Sequence, residues 1–203
     1  MHMLRRLNGN AGLFLTLAFG ALLALPGCDV NVKKDSEGKE KNVDIETPVG
    51  GLHVTKDADV RDVGLPVYPG ARRKQQTDDG NANSAHINIS TSLFGIKVVA
   101  IGYLSDDPPE KLVTYYKDQL KKYGSVLECH TNNPHPGTNM NGVDTSGDSK
   151  KLKCEDDQNG KTVELKVGNE QNQHIVSIKP GDDGKGSDFG LVYIQMHGGK
   201  GTI

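Results

Sequence analysis

Apolar positions change their spacing several times along the chain, and each change marks a different kind of element. From Ala11 to Leu25 the residues AGLFLTLAFGALLAL form a run of 15 that is almost wholly apolar. A run of about 7–15 suits the core of a cleaved export signal, whereas a membrane-spanning helix needs about 20. A retained single-span anchor is the runner-up reading of this run. Residues 29–41, DVNVKKDSEGKEK, then turn polar and charged. They read as a solvated tether, with a short strand suggested by the alternation of Val30 and Val32.

Period-two alternation follows. Val43, Ile45, Leu52 and Val54 flank the turn signal Pro48-Val49-Gly50-Gly51 and predict a hairpin. Asp57 to Gly64 reads as a connection. Residues 72–77 predict a strand, and so does His86 to Ser90, which alternates strictly. Gly95 to Leu104, GIKVVAIGYL, is nearly continuous in apolar residues and predicts the central strand of a sheet, buried on both faces. Further strands are predicted from Val126 to Cys129, Lys151 to Glu155, Thr162 to Val167, His174 to Lys179 and Phe189 to Met196. The segment from Asp157 to Gly160 should turn a hairpin between two of them. His197 onward reads as a frayed end.

One stretch has helical spacing. Leu112, Val113, Tyr116, Leu120 and Tyr123 make a single apolar stripe. Asp107 is placed to cap this helix, Pro108 suits its first position, and Glu110 would complete a capping box. Gly124 suits the C′ position. The fold expected is α+β: a mostly antiparallel sheet of about six or seven strands with one packed helix at about 107–123. Two or three strands should precede the helix and four follow it. The domain division is 1–27 signal helix, 28–62 tether with a hairpin, and 63–203 the α+β domain.

Charge changes the picture little. The chain carries a formal charge of −2, and residues 1–27 hold two arginines and no acid, so the remaining 176 residues carry −4. That leaves no electrostatic footprint for nucleic acid and no basic patch to hold a membrane. Gly is abundant at 25 and Trp is absent, which favours a turn-rich β domain over a helical bundle.

Leu25-Pro26-Gly27-Cys28 closes the apolar run and places the first cysteine of the chain there. Arg5 and Arg6 precede the run, and no acid occurs before Asp29. This arrangement resembles the lipobox of bacterial lipoproteins. The resemblance implies removal of residues 1–27, a diacylglyceryl thioether on Cys28, acylation of its freed amine, and a membrane partner held through that lipid. Two or more acyl chains anchor stably where one does not. Asp29, next after the cysteine, resembles the inner-membrane retention signal of enteric bacteria. The implied location is the cell envelope, with the domain outside the cytoplasm and the periplasm its expected compartment. Two further resemblances concern the domain itself. VDIETPVGGLHVT is similar to one repeat of bacterial β-solenoid adhesin-like domains. LPVYPGA, followed by strands and the DPPEK helix start, resembles an uncharacterised group of bacterial exported proteins from about Leu65 to Cys129.

With Cys28 lipidated, Cys129 and Cys154 remain as a pair, most simply a disulfide in an oxidising compartment. A zinc site of Cys129, His130, His135 and Cys154 is the alternative, although adjacent Cys-His is not the usual ligand spacing. Asp144, Ser146 and Asp148, and separately Asp182, Asp183 and Asp188, have the composition of calcium loops but also of ordinary acidic turns. Lys117, Lys121 and Lys122 read as a solvated helix face, with a phosphate or headgroup patch as the sharper alternative. No catalytic motif and no cofactor signature occurs. Three functional classes stay open: a lipid-anchored binding or structural module, an exported enzyme with an active site assembled from distant residues, and an adhesin-like assembly module. A deep pocket with convergent His and Asp would favour the enzyme, a flat polar sheet face the binding module, and stacking of residues 30–55 the assembly module.

Overall fold

Alternating Val and Ile residues give most of this chain one apolar edge per strand, and strands of that kind bury it by pairing into a sheet. The computed structural model describes residues 28–34, 40–75, 84–132, 151–154, 159–182 and 184–198. Its strands are β1 (Asp29–Lys34), β2 (Glu40–Thr47), β3 (Gly50–Thr55), β4 (Arg72–Arg73), β5 (Ser84–Thr91), β6 (Phe94–Ser105), β7 (Leu127–Thr131), β8 (Thr162–Asn169), β9 (Asn172–Pro180) and β10 (Ser187–Gly198). All pair antiparallel in one sheet of order β1-β2-β3-β5-β6-β10-β9-β8-β7, with β4 on β6. Helix α1 (Val60–Val63) is a single turn, and α2 (Pro109–Leu120) runs on into a 3-10 turn at Lys121–Tyr123. Among the described residues no helix is long and apolar enough to cross a membrane.

The antiparallel sheet and its one main helix match the expected α+β class. β6 holds the middle of the sheet, as its apolar run predicts, and is paired on both edges over most of its length. One face of it, Val99, Ile101 and Tyr103, is fully buried beneath the helices. On the other face Ile96 is buried while Val98 and Ala100 are half-buried.

The helix side holds the main core. Leu112, Tyr116 and Leu120 of α2 are completely buried against Leu165, Val176, Ile178, Phe189 and Leu191 of the sheet. Phe189 stacks on Tyr103 with ring centroids 5.4 Å apart and meets Tyr116 at 5.7 Å. The Tyr116 hydroxyl donates to the Pro66 carbonyl at 3.2 Å and accepts from the Tyr68 amide at 3.0 Å. This one side chain therefore ties the proline-rich segment 65–71 to the helix. Burial pushes the Tyr116 hydroxyl well above its ordinary pKa.

Several expectations are corrected. Ten strands are present, six before α2 and four after it. Of the predicted strand at 72–77, Arg72–Arg73 pairs as β4, followed by one further bond from the Lys74 amide to the Gly102 carbonyl, and residues 76–77 lie outside the described residues. The connection at 57–64 contains α1, which Asp59 caps by accepting from the Arg61 amide at 2.9 Å and which Gly64 ends at φ +74°. A side chain at Gly64 would meet the Tyr123 hydroxyl, 2.9 Å from an added Cβ. Within the stretch read as a tether at 29–41, the short strand suggested by Val30 and Val32 is present as β1, Asp29–Lys34, paired with β2. Of the predicted strand from Lys151 to Glu155, Lys151 bridges to Asn169 and β7 occupies the edge of β8 at Thr162–Lys166, while Glu155 and residues 157–158 of the predicted turn lie outside the described residues. Gly160 lies against the Thr131 backbone, where a side chain would not fit. β10 continues through His197 to Gly198.

The helix start is also displaced. Pro108 occupies the N-cap position, with no side-chain cap, and Pro109 begins α2. A residue before proline is driven out of the helical region, so the second proline holds Pro108 extended at ψ 155°. Asp107 instead accepts from the Tyr68 hydroxyl at 2.9 Å and from Lys111 Nζ at 2.7 Å, and these partners hold its pKa down.

Candidate functional site

Registers across the sheet sort its residues into two unlike faces. Asp44, His53, Asn88 and Lys97 lie opposite one another on β2, β3, β5 and β6, all on the helix side. Asn42, Thr55 and His86 form the neighbouring row, and Glu46, Gly51 and Ser90 the next. The opposite face of the same strands carries Val43, Ile45, Leu52, Val54, Ile87 and Ile89. Helix α2 lies over β8 and β9 and leaves the polar rows uncovered.

The polar face has its own network. His53 Nδ1 contacts the Asp44 carboxylate across the strand pair. Asp62 of α1 reaches over the sheet to Lys97 Nζ at 3.6 Å and to His86 Nδ1 at 3.8 Å. Burial, and then the Lys97 charge, lower the pKa of His86 and favour its neutral form. Arg73 Nη2 donates to the Ala58 carbonyl at 2.8 Å and to Ser84 Oγ at 2.9 Å, tying β4 to the residues before α1 and to the start of β5. The result is a sheet face with donors and acceptors held on strands, which can hydrogen-bond a polar partner.

Near the start of α2 lies an open cleft of about 530 Å³ lined by Tyr68, Pro69, Glu110, Lys111, Thr114 and Tyr115. Tyr68 and Tyr115 meet edge to face at 5.1 Å. This lining brings no histidine, cysteine or aspartate together, so it does not provide the convergent His and Asp of the enzyme reading. Residues 29–55 lie side by side as the antiparallel strands β1–β3 and do not stack as a solenoid, the arrangement that would favour the assembly reading.

Cys28 is exposed, takes no part in the disulfide and stands one residue ahead of β1. Cys129 and Cys154 are joined by a disulfide, with Cα atoms 5.5 Å apart. The bridge takes both sulfurs of the zinc alternative. His130, next to Cys129, alternates to the other face of β7 and lies 3.4 Å from the Glu128 carboxylate, while His135 is outside the described residues. Cys129 registers opposite Glu164, which forms a buried ion pair with Lys166 at 3.0 Å.

The acidic loops have other partners. Asp188 pairs with Lys74 at 2.9 Å and with Lys179 at 3.3 Å, and Asp182 pairs with Lys179 at 3.2 Å. Asp183, Asp144, Ser146 and Asp148 lie outside the described residues. Among the described residues no three His, Cys, Asp or Glu side chains are grouped to hold a metal ion. The helix lysines are individually engaged: Lys117 with Glu128, Lys121 with Asp118 at 3.4 Å, and Lys122 over the Tyr123 ring at 5.0 Å.

Sequence reasoning missed the polar rows. The signal was present in the strict alternation of residues 43–55 and 86–90, which assigns each strand a polar phase. Only pairing register aligns those phases into a surface. Comparison with family models, with curated proteins and with solved structures finds no match for the chain.

Proposed function

We propose that this chain is a bacterial lipoprotein whose residues 1–27 are removed on export and whose Cys28 carries the lipid anchor. The domain then works outside the cytoplasm, as a binding or structural module of the cell envelope. The observation that carries this reading is Leu25-Pro26-Gly27-Cys28 at the end of a 15-residue apolar run, behind two arginines and ahead of a charged segment. The disulfide supports an oxidising compartment, because such bonds persist in exported proteins and are rare in reducing ones. The polar rows aligned on β2, β3, β5 and β6 support binding, with a polar surface of another envelope component as the class of partner.

The anchor is tested with labelled palmitate in cells making the full chain or Cys28→Ala. Label should enter the parent protein and be lost in the variant, which should leave the detergent phase or retain its signal. Equal incorporation by both would refute the anchor. Density-gradient fractionation should place the parent protein in an envelope membrane, and recovery mainly in the cytosol would refute the location.

A further inference from the structure

Seven large apolar side chains are exposed among the described residues, and five of them occupy one corner of the sheet: Val30, Val32, Val49, Leu93 and Phe94. The corner is made by two turns of the same construction. In Thr47-Pro48-Val49-Gly50 the threonine hydroxyl donates to the Gly50 carbonyl at 2.7 Å and accepts from the Val49 amide at 3.4 Å. In Thr91-Ser92-Leu93-Phe94 the threonine hydroxyl donates to the Phe94 carbonyl at 3.0 Å and accepts from the Leu93 amide at 3.2 Å. Each turn thus holds an apolar residue at its tip, where turn chemistry ordinarily places Gly, Asn or Asp. Val49 is 73% exposed and Leu93 66%.

Registers place the two turns together and next to the chain start. Gly50 pairs with Thr91, and Asp29 pairs with Glu46, so Cys28 lies at this same end of the sheet. At about 4.8 Å per strand, the line from β1 to β6 is roughly 19 Å long. Val30 and Val32 continue the patch along the edge strand, on the face that carries Ile45 and Leu52. Segments 28–32, 47–50 and 91–95 contain no Lys, Arg or His, Asp29 is their one charged residue, and His197 of β10 lies against Gly95 at the rim. The two turn tips themselves offer apolar contact, and none of the three segments supplies a cation to draw an anionic partner.

We infer that this corner is a bilayer-contacting surface, so that Val49, Leu93 and Phe94 enter the lipid beside the Cys28 anchor. The inference rests on the lipoprotein reading for its geometry. With β1 starting at Asp29, an acylated Cys28 has no tether and holds the sheet end within about one residue, ~3.8 Å, of the membrane surface. Apolar tips buried at the headgroup boundary then fix the tilt of the sheet, with the row Glu46, Gly51 and Ser90 at headgroup level and the rows of His53 and His86 farther out.

The chain has no tryptophan, so single tryptophans report cleanly. Leu93→Trp and, at the opposite end of the sheet, Lys185→Trp are introduced into the full chain. The processed proteins are placed on dioleoylphosphatidylcholine vesicles with and without brominated acyl chains, and the state of Cys28 is read by mass spectrometry on the same material. The indole of Leu93→Trp should shift to the blue and be quenched at least about two-fold, that of Lys185→Trp should be unaffected, and adding phosphatidylglycerol should change neither. Val49→Trp serves as a second probe with the same expectation should Leu93→Trp fail to fold. Acylated Cys28 with Leu93→Trp unquenched, or with both variants quenched alike, would overturn the corner and leave the anchor standing. Quenching of Leu93→Trp on protein with an unmodified Cys28 would overturn the anchor and leave the corner standing.

Discussion

Strands β3 and β9 both alternate, but the alternation serves different ends in the two halves of the sheet. On β9 the helix side carries Val176 and Ile178 and the far side carries Ile175, all buried. On β3 the far side carries Leu52 and Val54, and the side that faces the helices elsewhere carries His53 and Thr55. Two apolar faces make a strand interior, and the helix must be there to cover one of them. One apolar face leaves the other free to stay polar, and α2 stops short of it. The sheet is thus continuous in hydrogen bonding but divided in energetics. Its C-terminal half supplies the packed core, and its N-terminal half extends a platform outward to Cys28.

Substitutions in the two halves should separate this division sharply. Phe189→Ala removes a ring packed between Tyr103 and Tyr116 and should cost about 3–5 kcal/mol in urea unfolding. Leu52→Ala on the half-buried face should cost only about 1 kcal/mol. Equal losses would mean that the N-terminal strands carry as much of the core as the C-terminal ones.

The disulfide comes next in size. Cys129 and Cys154 are separated by 25 residues, and replacing both with alanine should lower stability by about 3 kcal/mol in the chain-entropy model. The fold should survive, because α2 and the strands it covers pack without the bridge. Circular dichroism of the variant should keep the native strand signal while its melting temperature falls. Loss of the signal would show that the bridge holds the C-terminal half together.

A pH dependence follows from the covered half. The His174 ring stacks between Tyr123 at 3.9 Å and Tyr193 at 4.8 Å, and its Nδ1–H donates to the Val63 carbonyl at 2.9 Å. Burial lowers its pKa below the ordinary value of 6.5. The unfolded chain therefore binds more protons as pH falls, so stability is full above about 6.5 and declines below it. His86 adds to the same decline through its own lowered pKa. His174→Gln should flatten the slope of unfolding free energy between about pH 7 and about pH 5, and an unchanged slope would contradict the assignment.

The smallest effect is expected on the polar rows. His53→Ala with Lys97→Ala touches exposed or half-buried side chains and should change stability by less than about 0.5 kcal/mol. The same double variant should lose most of the envelope cross-links formed by the parent protein. Cross-linking at the parent level would place the binding surface elsewhere.

These differences also explain how far the sequence could be read. The central strand β6 and helix α2 were legible because the apolar run of one is long and the periodicity of the other strong, in Gly95 to Leu104 and Leu112 to Tyr123. The Cys129–Cys154 pair was legible by counting once Cys28 was set aside. β1 was legible only in outline, through the alternation of Val30 and Val32 amid charged surroundings, since these are its only apolar residues. The start of α2 was misplaced by one residue because Pro108-Pro109 outweighs the capping potential of Asp107. The row Asp44, His53, Asn88, Lys97 was out of reach, because no local pattern states which strands pair or in what register.

The envelope role depends most on where the processed chain begins and what its first residue carries. Mass spectrometry of the N-terminal peptide, from protein extracted from envelopes without reductant, measures both. A lipoprotein of this design starts at Cys28, with a diacylglyceryl group on the sulfur and an acylated amine, and that is the predicted result. A chain that starts elsewhere, or a Cys28 with a free thiol in that material, would contradict it.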